Sequence, residues 1–238
     1  DALCLTIGAR QPRDLSVAGR ELKGVHFAME YLGQQNKLLG GEVVAKNELI
    51  NAKDKNVLVI GGGDTGSDCV GTANRQGARS ITQIEILPKP PVERTENMPW
   101  PNWPTLLKNS SSHQEGCERL WNITTKKFSG KAGQVEKAQA MKVEWHNGKM
   151  QDVPGSEFEI KADLVLLALG FTQPVHDGLL TELGLEFDTR GNVKVDDNYM
   201  SSVKGVFSAG DTVRGASLVV WAMQTGRLAA KAIDRYLR

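Results

Sequence analysis

The segment Val57-Leu58-Val59-Ile60-Gly61-Gly62-Gly63-Asp64-Thr65-Gly66 joins four apolar residues to a glycine-rich turn with the spacing GxGxxG. A short apolar run bounded by turn residues is typical of a central parallel strand. In such a turn Gly61 forms the tight bend after the strand, and Gly63 lets a pyrophosphate approach the backbone. Gly66 lets the next helix pack closely against the strand. The N–H groups at the start of that helix favour phosphate. The segment therefore predicts dinucleotide binding, with a plain glycine turn as the weaker alternative.

Elements on both sides of this segment predict an α/β fold. A helix is expected from Asp64 to Gln76 and a second strand from Ser80 to Leu87, which together form a right-handed crossover unit. A further buried strand is predicted from Asp163 to Leu169. Between them, Asn147-Gly148 predicts the turn of a β-hairpin and hence an antiparallel insertion.

The remaining elements are predicted from shorter patterns. We expect strands at residues 2–8 and 205–208, and helices at residues 25–39, 112–121 and 217–237. The segment from Pro88 to Pro104 holds six of the nine prolines, which excludes a regular helix or a central strand there. Trp100 and Trp103 in this segment are equally compatible with stacking on a nucleotide ring and with simple packing.

The choice between NAD and NADP depends on the residues around the second strand. An acidic residue at the end of this strand would bind the ribose 2′-hydroxyl of NAD, whereas cations accommodate the 2′-phosphate of NADP. Glu85 has the right distance from the glycines, but we place it inside the strand. Lys89 and Arg94 follow it, and Arg79 precedes the strand. The pattern favours NADP and leaves NAD possible.

Composition excludes several other classes. The chain has 238 residues with 29 Lys and Arg against 28 Asp and Glu, which argues against a nucleic-acid partner and gives no charge argument for a membrane surface. Three cysteines without a CxxC pair predict neither a disulfide framework nor a metal or iron–sulfur site in this chain. His113 and Cys117 alone do not make a zinc site, and Cys69 is expected to be a packing residue. The default location is cytoplasmic.

Several motifs resemble the small (beta) subunit of glutamate synthase. They are the glycine-rich segment extended through Ser67-Asp68-Cys69-Val70-Gly71-Thr72, the proline- and tryptophan-containing stretches 85–91 and 99–104, and two C-terminal stretches, 205–211 and 214–222. The opening residues 12–15 and 24–29 are also similar to that family. The resemblance spans the whole chain, with the motifs in the family's order.

This resemblance implies an α/β flavoprotein in which a Rossmann-like, three-layer NAD(P)-binding domain at residues 16–172 interrupts an FAD-binding domain of the same type. Remnants of the FAD-binding domain would be residues 1–15 and 173–238. A hydride would pass from NADPH to FAD, and electrons would continue to the large (alpha) subunit, which makes glutamate from glutamine and 2-oxoglutarate. The cofactor-binding residues would be Gly61, Gly62, Gly63, Asp64, Thr65, Gly66, Lys89 and Arg94 for NADP, and Gly210, Asp211, Ser217 and Leu218 for FAD. Gly170 is a further cofactor-binding candidate.

The sequence also departs from the family. The cysteine-rich cluster region and the first GxGxxG, which holds the FAD pyrophosphate, do not occur in it. We therefore expect this chain to be a fragment that binds NADP but binds FAD weakly or not at all. Because hydride transfer between two cofactors requires no protein acid or base, we assign no catalytic residue. The alternatives are a related flavoprotein, such as a sulfide dehydrogenase or a dihydropyrimidine dehydrogenase, and a nucleotide-binding or interaction fragment without activity.

Overall fold

A computed structural model describes residues 1–45, 47–101 and 105–238. The strands are β1 (Leu3–Leu5), β2 (Val25–Phe27), β3 (Asn56–Ile60), β4 (Ser80–Glu85), β5 (Glu118–Trp121), β6 (Ile123–Lys131), β7 (Gln134–His146), β8 (Lys149–Asp152), β9 (Phe158–Lys161), β10 (Leu164–Leu167) and β11 (Val206–Ser208). The helices are α1 (Ala28–Leu39), α2 (Asp64–Arg75), α3 (Ser111–Gln114), α4 (Leu179–Glu182), α5 (Asp211–Arg214) and α6 (Val219–Leu237).

The chain divides into two compact units. The central unit is Asp14–Leu169, and the terminal unit combines Asp1–Arg13 with Gly170–Arg238. No described helix has both the length and the apolar character needed to cross a membrane.

A five-stranded sheet in the order β2-β10-β3-β4-β5 forms the centre of the central unit, and all its neighbouring strands are parallel. Alternate residues of β3 enter two different apolar clusters, because successive side chains of a strand point to opposite faces. Leu58 and Ile60 pack in one cluster, and Val57 and Val59 pack in the other, against α1 and α2. The predicted α/β class and the buried strand at Val57–Ile60 are confirmed.

The antiparallel insertion is also confirmed. Strands β6, β7 and β8 form a meander, and β9 pairs with the other part of β7. The β7–β8 turn is Asn147-Gly148, and both residues have positive φ, 50° and 76°. This conformation is the one that a two-residue hairpin turn requires and that asparagine and glycine tolerate.

The terminal unit is built on two parallel strands, β1 and β11. Leu5, Leu180 and Val206 belong to its core. Phe207 is fully buried and meets Tyr236 of α6 edge to face, with ring centroids 5.5 Å apart. The predicted C-terminal helix is present and begins at Val219, two residues later than expected, with Leu218 as its N-cap.

Two predicted helices were wrong in extent. The helix predicted from Val25 begins only at Ala28, because Val25–Phe27 forms β2, which pairs with the distant β10. The helix predicted from Ser112 to Trp121 is limited to Ser111–Gln114. Gly116 has a φ of +117°, outside the helical range, and β5 follows it.

The three thiols differ in burial. Cys69 on α2 is fully buried, and desolvation, with a contribution from Asp68, raises its pKa to about 12. Cys4 on β1 is exposed and Cys117 is partly buried. At pH 8 we expect an aromatic disulfide reagent to modify Cys4 at least about a hundredfold faster than Cys69, because the thiolate is the nucleophile. Equal rates for all three thiols in the folded chain would contradict this packing.

Candidate functional site

The turn between β3 and α2 requires glycine at two positions. Gly61 has a φ of +123°, and its N–H donates to the carbonyl of Ile84. A methyl group on Gly61 would lie 2.2 Å from the carbonyl oxygen of Ala168. A methyl group on Gly66 would lie 2.2 Å from the carbonyl oxygen of Gly61, so the start of α2 is in direct contact with the end of β3.

Gly63 differs from these two glycines because it faces open space. It is the N-cap residue of α2, and a methyl group built on it would have no neighbour within 4 Å. No side chain caps this helix. The first turn of a twelve-residue helix therefore presents N–H groups and a partial positive charge to the space beside Gly63.

Glu85 connects the second strand to the turn. It is the last residue of β4, not an interior residue as the sequence suggested. One carboxylate oxygen accepts a hydrogen bond from the N–H of Gly62 at 2.7 Å, and the other accepts one from the N–H of Leu87 at 3.0 Å. Both oxygens of Glu85 are thus already bound to backbone groups that shape the site.

A cavity of about 660 Å³ opens beside Gly62 and Gly63 at the carboxyl end of β4. Its volume lies within the range of ordinary ligand pockets. Apolar side chains of the proline-rich segment form one wall, and polar groups from α2, α3, β4 and β5 form the rest. The lining residues are Gly62, Gly63, Asp64, Ser67, Glu85, Leu87, Pro88, Lys89, Pro90, Pro91, Met98, Thr105, Leu106, Leu107, Lys108, Ser110, His113, Arg119 and Trp121.

Two cations lie near the ring of Trp121 in this cavity. The ammonium nitrogen of Lys89 and the guanidinium carbon of Arg119 each lie 5.0 Å from the ring centroid. No carboxylate of the described residues lies within 4.0 Å of either cation. Two cations that are not ion-paired favour an anionic ligand in the cavity, whose lining also includes Asp64 and Glu85.

The predicted residues of the central unit fall into three groups. Gly62, Gly63, Asp64 and Lys89 line the cavity. Gly61 and Gly66 shape the turn behind it, and Thr65 lies on another face of α2. Arg94 donates to the carbonyl oxygen of Met98 at 2.6 Å and is not among the described lining residues. Trp100 is 83% exposed, and Trp103 lies outside the described residues.

The predicted residues of the terminal unit gather near the ends of β1 and β11, apart from Gly170. The N–H of Gly210 donates to Thr225 Oγ1, and Asp211 accepts from Ser217 Oγ at 2.7 Å. Leu218 is 68% exposed. Gly210 and Asp211 border a concavity of about 220 Å³. Gly170 accepts a hydrogen bond from the N–H of Arg13 through its carbonyl oxygen.

Sequence reasoning missed Arg119, Trp121 and His113 as residues of the cavity. Arg119 and Trp121 lie in β5, which the sequence had suggested was helical. A strand places residues two apart on one face, so a β assignment for Glu118–Trp121 would have grouped the two side chains. Within the residues that the structure describes, no three side chains of His, Cys, Asp or Glu are grouped to hold a metal ion.

A family model decides the classification of the chain. The model, described as pyridine nucleotide-disulphide oxidoreductase, matches residues 1–226. The chain belongs to this family. The glycine-rich turn and the cavity beside it lie within the residues that the family model matches.

The chain is similar to several curated proteins of known name. It is 50% identical over 240 residues to the glutamate synthase [NADPH] small chain of Mycobacterium tuberculosis, covering 100% of this chain and 49% of that protein. It is 38% identical to the small chain of Bacillus subtilis, with 100% and 50% covered, and 41% identical to glutamate synthase [NADH] of Schizosaccharomyces pombe, with 98% and 12% covered. The chain thus spans about half the length of the bacterial relatives.

Several solved structures share the fold of this chain. FprA of Mycobacterium tuberculosis in complex with NADPH matches with a TM-score of 0.70 at 14% identity, covering 100% of this chain and 64% of that one. Thioredoxin reductase of T. acidophilum matches with a TM-score of 0.60 at 22% identity, covering 99% and 65%. At these identities the likeness concerns the fold alone.

Proposed function

We propose that the chain is part of an electron-input oxidoreductase subunit of the glutamate synthase type, and that its central unit binds NADPH. The observation that carries this proposal is the cavity that begins at the open Gly63 and contains Lys89 and Arg119 without a carboxylate partner. The first turn of α2 would hold the pyrophosphate, and the apolar wall would take the adenosine.

Lys89 and Arg119 would bind the 2′-phosphate of NADP, Arg119 through a planar guanidinium suited to phosphate oxygens. Glu85, which in an NAD-binding protein would bind the ribose hydroxyls, accepts one hydrogen bond on each oxygen, from the N–H groups of Gly62 and Leu87, and keeps further lone pairs. Lys89 and Arg119 support NADP over NAD. The relatives named for NADPH and for NADH leave both dinucleotides to be compared by experiment.

In the whole protein, we propose that the bound NADPH supplies a hydride to FAD and that the large (alpha) subunit of glutamate synthase receives the electrons in the cytoplasm. Gly210, Asp211, Ser217 and Leu218 would belong to the FAD-binding part. The concavity beside Gly210, about 220 Å³, is smaller than ordinary ligand pockets and therefore supports weak FAD binding by this chain. The same observation favours the second candidate, a nucleotide-binding fragment without activity of its own.

Cofactor titration of the purified chain tests NADP binding, and it distinguishes an active electron-input chain from a nucleotide-binding fragment without activity. We expect one NADP⁺ per chain, with a Kd at least about tenfold lower than that of NAD⁺, because a phosphate adds charge-assisted hydrogen bonds. We expect a colourless preparation without a stoichiometric flavin absorption band. Saturable reduction of added FAD by NADPH would favour an active electron-input chain over an inactive fragment. Absence of NADP⁺ binding would contradict both candidates.

A further inference from the structure

A chain of hydrogen bonds leads from two cavity-lining residues, Ser110 and His113, to the glycine-rich turn. The ring of His113 on α3 contacts Ser110 through Nδ1, with distances of 3.2 Å to the backbone nitrogen and 3.0 Å to Oγ. Its Nε2 lies 2.9 Å from Oε1 of Gln83 on β4. The amide nitrogen of Gln83 donates to the carbonyl oxygen of Gly61 at 2.9 Å.

The two ends of this chain fix the direction of every hydrogen bond in it. The carbonyl oxygen of Gly61 can only accept, so the side-chain NH₂ of Gln83 must face it and Oε1 of Gln83 must accept from His113. The backbone N–H of Ser110 can only donate, so Nδ1 of His113 must accept. Only the neutral ring with its proton on Nε2 satisfies both ends.

Burial makes this chain of bonds important for the turn. Gln83 is only 2% exposed. Its amide nitrogen lies so close to Gly66 that a methyl group on Gly66 would be 2.8 Å away from it. A buried amide that loses a partner bears its full desolvation penalty. Gln83 is therefore held between the ring of His113 and the carbonyl of Gly61, at the point where β3 meets α2.

We propose that His113, as the neutral Nε2–H tautomer, is a positioning residue that fixes the glycine-rich turn through Gln83 for the binding of a pyridine dinucleotide. This inference rests on the proposed function of the cavity. His113 acts through Gln83 and Gly61, and it has no part in hydride transfer. Protonation of the ring would place an N–H on Nδ1 against the N–H of Ser110, so the ring would have to turn toward Ser110 Oγ. Nε2 would still donate to Gln83, but from a displaced ring that no longer holds the turn in the same position.

The surroundings of His113 disfavour the charged ring. Burial lowers the pKa of His113, and the nearby guanidinium of Arg119 lowers this pKa further. Helix α2, which packs on α3, and strand β5 contribute other charges, and Arg75 of α2 is paired with Glu115. The charged groups on the cavity and on the elements around α3 are Asp64, Asp68, Arg75, Glu85, Lys89, Lys108, Glu115, Glu118 and Arg119.

The test compares NADP⁺ affinity between pH 5 and pH 8 in the wild type and two variants. His113→Gln places an amide nitrogen near the position of Nε2, so it keeps the donor to Gln83 and cannot be protonated. His113→Asn keeps an acceptor for Ser110 and loses that donor. The 2′-phosphate of NADP⁺ titrates near pH 6 itself, but it does so equally in all three proteins.

We expect the wild-type affinity to be full above the pKa of His113 and to fall below it by more than the phosphate explains. His113→Gln should bind within about threefold of the wild type at pH 8 and lack this extra loss, whereas His113→Asn should bind about tenfold more weakly at every pH. If His113→Asn does not fold, the pH dependence of NADP⁺ affinity in the wild type and in His113→Gln is sufficient for the test.

Parallel pH profiles for the wild type and His113→Gln would overturn the inference and leave the dinucleotide site intact. A wild-type affinity that rises at low pH, relative to His113→Gln, would also overturn it, because the charged ring would then contact a phosphate directly. No NADP⁺ binding at pH 8 by any of the three proteins would instead refute the proposed function, and this inference with it.

Discussion

Replacement of Gly66 by alanine is expected to lower the free energy of unfolding by about 3 kcal/mol and to remove measurable NADP⁺ binding. The new methyl group would lie 2.2 Å from the carbonyl oxygen of Gly61 and 2.8 Å from the amide nitrogen of Gln83. The first contact is with backbone, which cannot move without separating α2 from β3. The measurement is a urea unfolding curve, followed by NADP⁺ titration of the folded fraction.

Gly63→Ala is the matched control because the same methyl group there meets no protein atom within 4 Å. The φ of Gly63, −79°, is accessible to alanine, so stability should stay the same or rise by up to about 1 kcal/mol. NADP⁺ affinity should nevertheless fall at least about tenfold, since the methyl group would occupy the approach of the pyrophosphate. Unchanged affinity in Gly63→Ala would contradict the assignment of the phosphate to this turn.

Replacement of Arg119 by methionine is expected to weaken NADP⁺ binding by about 10- to 100-fold while changing NAD⁺ binding by less than about threefold. The guanidinium lies 5.0 Å from the ring centroid of Trp121 and is not paired with a carboxylate of the described residues. Methionine keeps an apolar stem and removes the charge. The measurement is the ratio of the two dissociation constants by calorimetry at fixed salt.

Arg79→Met provides the control for net charge. Arg79 immediately precedes β4, whereas the cavity lies at the other end of that strand. Both variants lose one positive charge, so general electrostatic attraction changes equally in the two proteins. An equal loss of NADP⁺ affinity in Arg79→Met and Arg119→Met would show that the 2′-phosphate does not bind to Arg119.

The glycine-rich turn could be predicted from sequence because its signals are local. The apolar run of β3, the spacing of Gly61, Gly63 and Gly66, and the start of α2 all lie within a few residues of one another. The hairpin at Asn147-Gly148 is local in the same sense. At these positions, steric requirements select the residue type directly.

The elements that were missed depend on distant partners. Strand β2 has three residues and exists because it pairs with β10, far along the chain. Strand β5 carries two charged residues and is stabilised by pairing with β4 across the proline-rich segment. Because β5 supplies Arg119, half of the cationic pair could not be assigned before the pairing was known. The hydrogen bond of Glu85 to Gly62 likewise joins residues that only the sheet brings together.

The central claim is that the pyridine dinucleotide binds in the cavity beside Gly62 and Gly63. A crystal structure of the chain grown with NADP⁺ tests this claim most directly. We predict the pyrophosphate at the first turn of α2 and the 2′-phosphate within hydrogen-bond distance of Lys89 and Arg119. A dinucleotide bound elsewhere, or a 2′-phosphate that contacts neither cation, would contradict the account.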